Sequence, residues 1–124
     1  MQRSELTARR CQACEGGIPA LQEPAIRSML AAVPEWNWVP GENCIERRWK
    51  LKNFVQAVAW LQTVADIAEA EQHHPDLHLT GYRNLKIVLT THAIEGLSEN
   101  DFIVAAHIDA AWEAAAKEAD NHAT

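Results

Sequence analysis

NFVQAVAWLQTVADIAEAEQHHPDLHLTGYRNLKIVLTT, residues 53–91, decides the fold. Asn53 is a good N-cap residue, and from Phe54 to about Glu71 the apolar side chains recur at helical spacing. Phe54, Val55, Val58, Trp60, Leu61, Val64 and Ile67 cover more than one face, so this helix is expected to bury one side on its own sheet and another on a partner. Pro75 ends it, because the residue before a proline is pushed out of the helical region. Beyond it, Leu77-His78-Leu79 and Leu85–Thr91 read as two strands around Gly81. In the second, Leu85, Ile87 and Leu89 share one face, and Lys86, Val88, Thr90 and His92 the other.

The flanks repeat this grammar. From Leu21 to Val33 the apolar positions return at helical spacing, with Pro24 in the first turn, where its missing donor does no harm, and Pro34 as the stop. Trp36–Val39 and Cys44–Trp49 read as strands joined by the turn Pro40-Gly41-Glu42-Asn43. Ser98 caps a last amphipathic helix running to about Lys117, with Asp101 at its third position. The order is helix, two strands, helix, two strands, helix. That is an α+β domain: a four-stranded antiparallel sheet with three helices on one face. It is expected to span residues 21–118, after a flexible N-terminal extension (1–20) containing Cys11-x-x-Cys14, Gly16-Gly17 and Pro19, and before a short tail, 119–124.

Composition narrows the function classes. A chain of 124 residues fits one domain. Seventeen acidic against eleven basic side chains give a net charge of −6, which argues against a partner recognised through nucleic-acid phosphates. No run approaches the roughly 18 apolar residues of a membrane helix, and the first ten residues lack the apolar core of a signal peptide. Three cysteines (Cys11, Cys14 and Cys44) are an odd number, too few for a disulfide framework. The expected compartment is the reducing cytoplasm.

Four of the six histidines fall between positions 73 and 92. Glu69 precedes His73 by four residues, so on a helix the two share a face, and the carboxylate is expected to fix the imidazole's orientation and tautomer. His73 and His74 close the helix, where its dipole favours a protonated ring. His92 ends a strand that can return beside that terminus. Imidazoles, with free pKa near ~6.5, are suited to flank one small molecule as acid and base. Taken singly, each residue has a plainer reading. Glu69 is a solvated helical charge, Asp101 a cap residue, Pro75 a helix stop, and His78, His107 and His122 are surface or satisfied polar groups.

The ordered set Glu69-x3-His73-His74-Pro75-x6-Tyr82-x9-His92-x8-Asp101 resembles the active-site signature of the pterin-4a-carbinolamine dehydratases. Trp36-Asn37, Lys52-Asn53-Phe54 and Gly96-Leu97-Ser98-Glu99 are similar to the family as well, so the likeness covers about residues 21–115. The His74-to-Tyr82 loop is at the longer of the family's lengths. The Cys11-x-x-Cys14 stretch resembles an N-terminal extension of some bacterial members. The resemblance implies dehydration of 4a-hydroxytetrahydropterin to quinonoid dihydropterin, which recycles the cofactor of aromatic amino-acid hydroxylases. It makes His73, His74 and His92 the catalytic or pterin-binding histidines, with His74 assigned to binding. Glu69, Asp101, Trp36 and Pro75 become supporting or substrate-binding residues. It implies no metal and no cofactor, a homodimer or homotetramer, and phenylalanine hydroxylase as a candidate client.

Two rival readings compete. A metal enzyme or carrier would use His73, His74, His78 and His92, but adjacent histidines seldom ligate one ion, and no zinc-enzyme carboxylate–histidine spacing occurs. Cys11 and Cys14 make only half a zinc site, so a loop with two reduced thiols is favoured over zinc shared between chains. The second rival is a non-catalytic dimerisation or assembly partner of the same fold; loss of the histidines would have favoured it, and all three are present.

Overall fold

The computed structural model of the chain describes residues 1–12 and 19–122. After helix α1 (Arg3–Thr7) come α2 (Glu23–Leu30), strands β1 (Asn37–Val39) and β2 (Cys44–Lys50), helix α3 (Phe54–Glu71), strands β3 (Asp76–Thr80) and β4 (Asn84–Leu89), and helix α4 (Glu99–His122). The strands form one antiparallel sheet in the order β1-β2-β4-β3. Its central pair aligns Ile45 with Leu89 and Trp49 with Leu85. Those side chains, with Ile87, are the buried face on which α3 and α4 lie. Glu46, Arg48 and Lys86 alternate to the other face, as a period of two requires.

Local chemistry sets the boundaries. Asn53 caps α3, its Oδ1 accepting from the Gln56 amide at 2.9 Å. Gln72, in the left-handed region at φ 53°, ends α3 three residues before Pro75. The proline is therefore not the stop that the sequence suggested. Gly81 (φ 53°) and Tyr82 (φ 57°) turn the chain between β3 and β4. Ser98 precedes α4, and the Asp101 carboxylate accepts from the Ser98 amide at 2.9 Å, the acidic half of a capping box.

Two expectations are corrected. Residues 1–12 are not a loose extension: α1 buries Leu6 completely in the core and packs on α4, because one apolar side chain and the Arg3–Glu113 and Arg9–Glu99 ion pairs hold it there. The described residues thus form four α-helices rather than three. Helix α4 also runs to His122, through most of the expected tail. Cys14, Gly16, Gly17 and residues 123–124 lie outside the described residues.

The core is rich in indoles. Trp49 meets Trp36, Trp60 and Trp112 with ring centroids 5.9–6.2 Å apart, at the steep or tilted angles that aromatic quadrupoles prefer. Trp36 is 3% exposed and donates its Nε1–H to Asp109 at 2.9 Å. Arg47 donates to the same oxygen at 2.6 Å. Burial pushes the Asp109 carboxyl above the usual carboxylate range, while Trp36 and Arg47 pull it down.

Candidate functional site

A cleft of about 410 Å³ opens where the end of α3, the end of β4 and the start of α4 converge. It is the size of site that holds a small heterocycle. His73, His74 and His92 all line it, so three residues separated by a hairpin in sequence meet in space.

His73 is the anchored member. The left-handed turn at Gln72 swings it off the helix axis, and its Nε2 lies 2.6 Å from Asp101 Oδ1. Asp101 is fully buried. Its Oδ2 accepts from the Thr91 hydroxyl and the Ser98 amide, each at 2.9 Å, so both oxygens are occupied. Thr91 Oγ1 also lies 2.7 Å from Ser98 Oγ. A carboxylate oxygen is an acceptor, so the contact suits the Nε2–H tautomer of His73, in which Nδ1 carries the free lone pair.

His74 differs. Its partner is Glu69, 2.6 Å from Nε2, and both side chains are largely exposed, at 59% and 70%. The expected Glu69–His73 pairing does not form, because α3 ends at Glu71 and the i to i+4 geometry is lost beyond it. The carboxylate that orients His73 comes instead from α4. Pro75 lies partly buried beside Glu69, His74 and Leu77 in a shallow depression next to the cleft.

His92 opens a short 3-10 turn, His92–Ile94, and is exposed. Its loop is cinched at the base, where Thr91 and Gly96 exchange backbone hydrogen bonds of 2.9 and 3.4 Å. A side chain on Gly96 would meet Ala20 Cβ at 2.6 Å, so glycine is required for this close approach. Tyr82 sits on the β3–β4 turn, 57% exposed and not among the residues lining the cleft. Trp36 does not line it either: its indole is committed to the core and to Asp109.

Sequence reasoning missed Thr91, Glu71, Asn100 and the placement of His107. Glu71 and Asn100 are buried polar residues on the cleft wall. His107, read as a surface or satisfied histidine, places Nε2 3.8 Å from Glu71, buried and without a hydrogen bond of its own. Only Thr91 had a legible signal: a hydroxyl beside His92, facing a capping aspartate ten residues on. Among the described residues no three His, Cys, Asp or Glu side chains are grouped to hold a metal ion, and no helix is long and apolar enough to cross a membrane.

Comparison with known proteins places the chain in a family. The sequence profile described as pterin 4 alpha carbinolamine dehydratase matches residues 19–111. A Halorhodospira halophila protein, provisionally named a pterin-4-alpha-carbinolamine dehydratase, is 44% identical over 105 residues, covering 85% of this chain and 95% of its own. The crystal structure of a transcriptional coactivator/pterin dehydratase from Brucella melitensis is 31% identical, with a TM-score of 0.68 over 73% of this chain and 96% of that one. A pterin dehydratase-like RuBisCO assembly factor of the alpha-carboxysome, 22% identical with a TM-score of 0.51 over 61% of this chain and 87% of its own, shares the fold. This chain belongs to the pterin 4 alpha carbinolamine dehydratase family.

Proposed function

We propose that this chain dehydrates 4a-hydroxytetrahydropterin to quinonoid dihydropterin, with His73 and His92 moving the protons. The observation that carries the reading is the cleft on which three histidines converge, one of them oriented by a buried carboxylate. The reaction breaks the C4a–O bond, removes the N5 proton and forms the C4a=N5 double bond; water leaves, and nothing is oxidised or reduced. His73, its Nε2 proton held by Asp101, is the base at N5, and Asp101 steadies the imidazolium that results. His92 protonates the departing hydroxyl. The exposed His74 contributes to binding. A carbinolamine already leaves readily, so about 10²–10⁴ per positioned acid or base is sufficient. The client is an aromatic amino-acid hydroxylase, phenylalanine hydroxylase being the candidate, and the setting is the cytoplasm.

The test is turnover of freshly generated 4a-hydroxytetrahydropterin by His73→Ala and His92→Ala, followed in the ultraviolet. Each variant should lose about 10²-fold or more in kcat while keeping its fold by circular dichroism. Near wild-type turnover in either removes that residue from proton transfer. The coactivator and assembly roles in the relatives' names describe those proteins; the three histidines in one cleft favour the enzymatic reading here. We also propose a homo-oligomer, dimer or tetramer. Phe54, Val55 and Val58 stand 53%, 76% and 45% exposed along one side of α3, whereas Trp60 belongs to the core. A monomer mass by light scattering at micromolar concentration would exclude it.

A further inference from the structure

The cleft has a wall outside the family match, which begins at residue 19: Cys11 and Gln12 line it beside the histidines. This stretch is fixed by buried polar groups. Glu71, with its side chain 3% exposed, commits both oxygens to it. Oε2 accepts from Arg10 Nη1 at 3.0 Å and Oε1 from the Cys11 amide at 3.3 Å. Asn100, also buried, is paired both ways with the Gln12 backbone: its Oδ1 accepts from the amide at 3.0 Å, and its Nδ2 donates to the carbonyl at 2.6 Å. A buried carboxylate and amide are costly unless hydrogen-bonded, so docking this stretch supplies both with partners. Both anchors adjoin the histidine site: Glu71 stands two residues before His73, and Asn100 immediately precedes Asp101.

We propose that Arg10, Cys11 and Gln12 form a substrate-binding strap, held by Glu71 and Asn100 as positioning residues, with Gln12 contacting the pterin. Gln12 has its backbone committed to Asn100 and its side chain exposed at the cleft. A primary amide offers one acceptor and one donor group, the complement of the alternating N–H and C=O edge of a pterin's pyrimidinone ring. The proposal rests on reading this cleft as the pterin site.

The experiment uses the full chain. Gln12→Ala and Arg10→Ala should raise KM for the carbinolamine by roughly two- to tenfold, the range spanned by one hydrogen bond, with the loss falling on KM rather than kcat. In a Cys14→Ser background, 7,8-dihydropterin, which lacks the 4a-hydroxyl, should slow alkylation of Cys11 by iodoacetamide severalfold, read by peptide mass. If Cys11 resists the reagent, Gln12→Cys supplies an exposed thiol at the same wall. An unchanged KM for Gln12→Ala overturns the proposal, and so does an alkylation rate indifferent to saturating dihydropterin. His92→Ala in the same assay separates the two readings. If it and His73→Ala both retain turnover, the cleft is wrong and the strap falls with it; if they lose turnover while the strap variants are silent, the strap alone is wrong.

Discussion

Helix α4 carries two buried aspartates eight residues apart, Asp101 and Asp109, and they serve different ends of the molecule. Eight residues is a little over two turns, so the side chains leave the helix about 80° apart. Asp101 lies behind the cleft, where its oxygens meet His73 Nε2 and accept hydrogen bonds from the Thr91 hydroxyl and the Ser98 amide. Asp109 turns into the indole cluster, where Trp36 and Arg47 share one of its oxygens. Residue type, helix and burial are the same. What differs is the partner: His73 lines the cleft, while Trp36 and Arg47 are not among the residues that line it. A buried carboxylate is therefore no marker of a site until its partners are known.

The widest separation between the two should come from Asp109→Ala. Leaving Arg47, 14% exposed, without its partner should lower unfolding stability by about 3–5 kcal/mol, while turnover per folded molecule stays near wild type. Denaturant titration alongside kinetics checks this, and a loss of kcat without a loss of stability would erase the distinction. Asp101→Asn should do the reverse. Stability should fall by about 1–3 kcal/mol as three donors lose a carboxylate, and kcat by about 10²-fold as His73 loses its orienting partner. Full activity in that variant would make Asp101 a helix cap and no more.

Acidity sharpens the contrast. Burial raises the Asp109 carboxyl in the fold above its unfolded value, so this group favours the folded state once protonated, and that contribution is lost as pH rises through the raised value. The stability of the wild type relative to Asp109→Asn should therefore improve as pH drops from neutral into the carboxylate range. Denaturation of both proteins at several pH values measures it, and a gap moving the other way refutes the sign. The smallest effect belongs to a third carboxylate. Glu69→Gln removes an exposed pair with His74 and should leave the melting temperature within measurement scatter, because solvent competes for both exposed side chains.

Much of this was legible in residues 53–91. The bounds of α3 followed from Asn53 and the apolar spacing, and the strand pairs from alternation around Gly81. That His73, His74 and His92 share a cleft was legible only as a pattern of spacing. Their partners were not. Helical spacing assigned Glu69 to His73, but the left-handed Gln72 breaks that spacing, and a left-handed glutamine carries no signal. Helix α1 was invisible because five residues with one buried leucine show no period. The place of Trp36 was ambiguous because a large aromatic beside a strand serves a core or a pocket equally well.

Helices α1 and α4 touch, and a ribosome makes α1 well before α4. Gln12 is synthesised 88 residues ahead of Asn100, the side chain that holds its backbone. At roughly 5–20 residues per second the nascent chain spends about 4–18 s with Arg10, Cys11 and Gln12 already made and nothing yet present to receive them. Leu6, later at the centre of the core, has no native cavity to enter during that interval. Every newly made copy therefore acquires this side of its cleft only after α4 has begun to leave the exit tunnel.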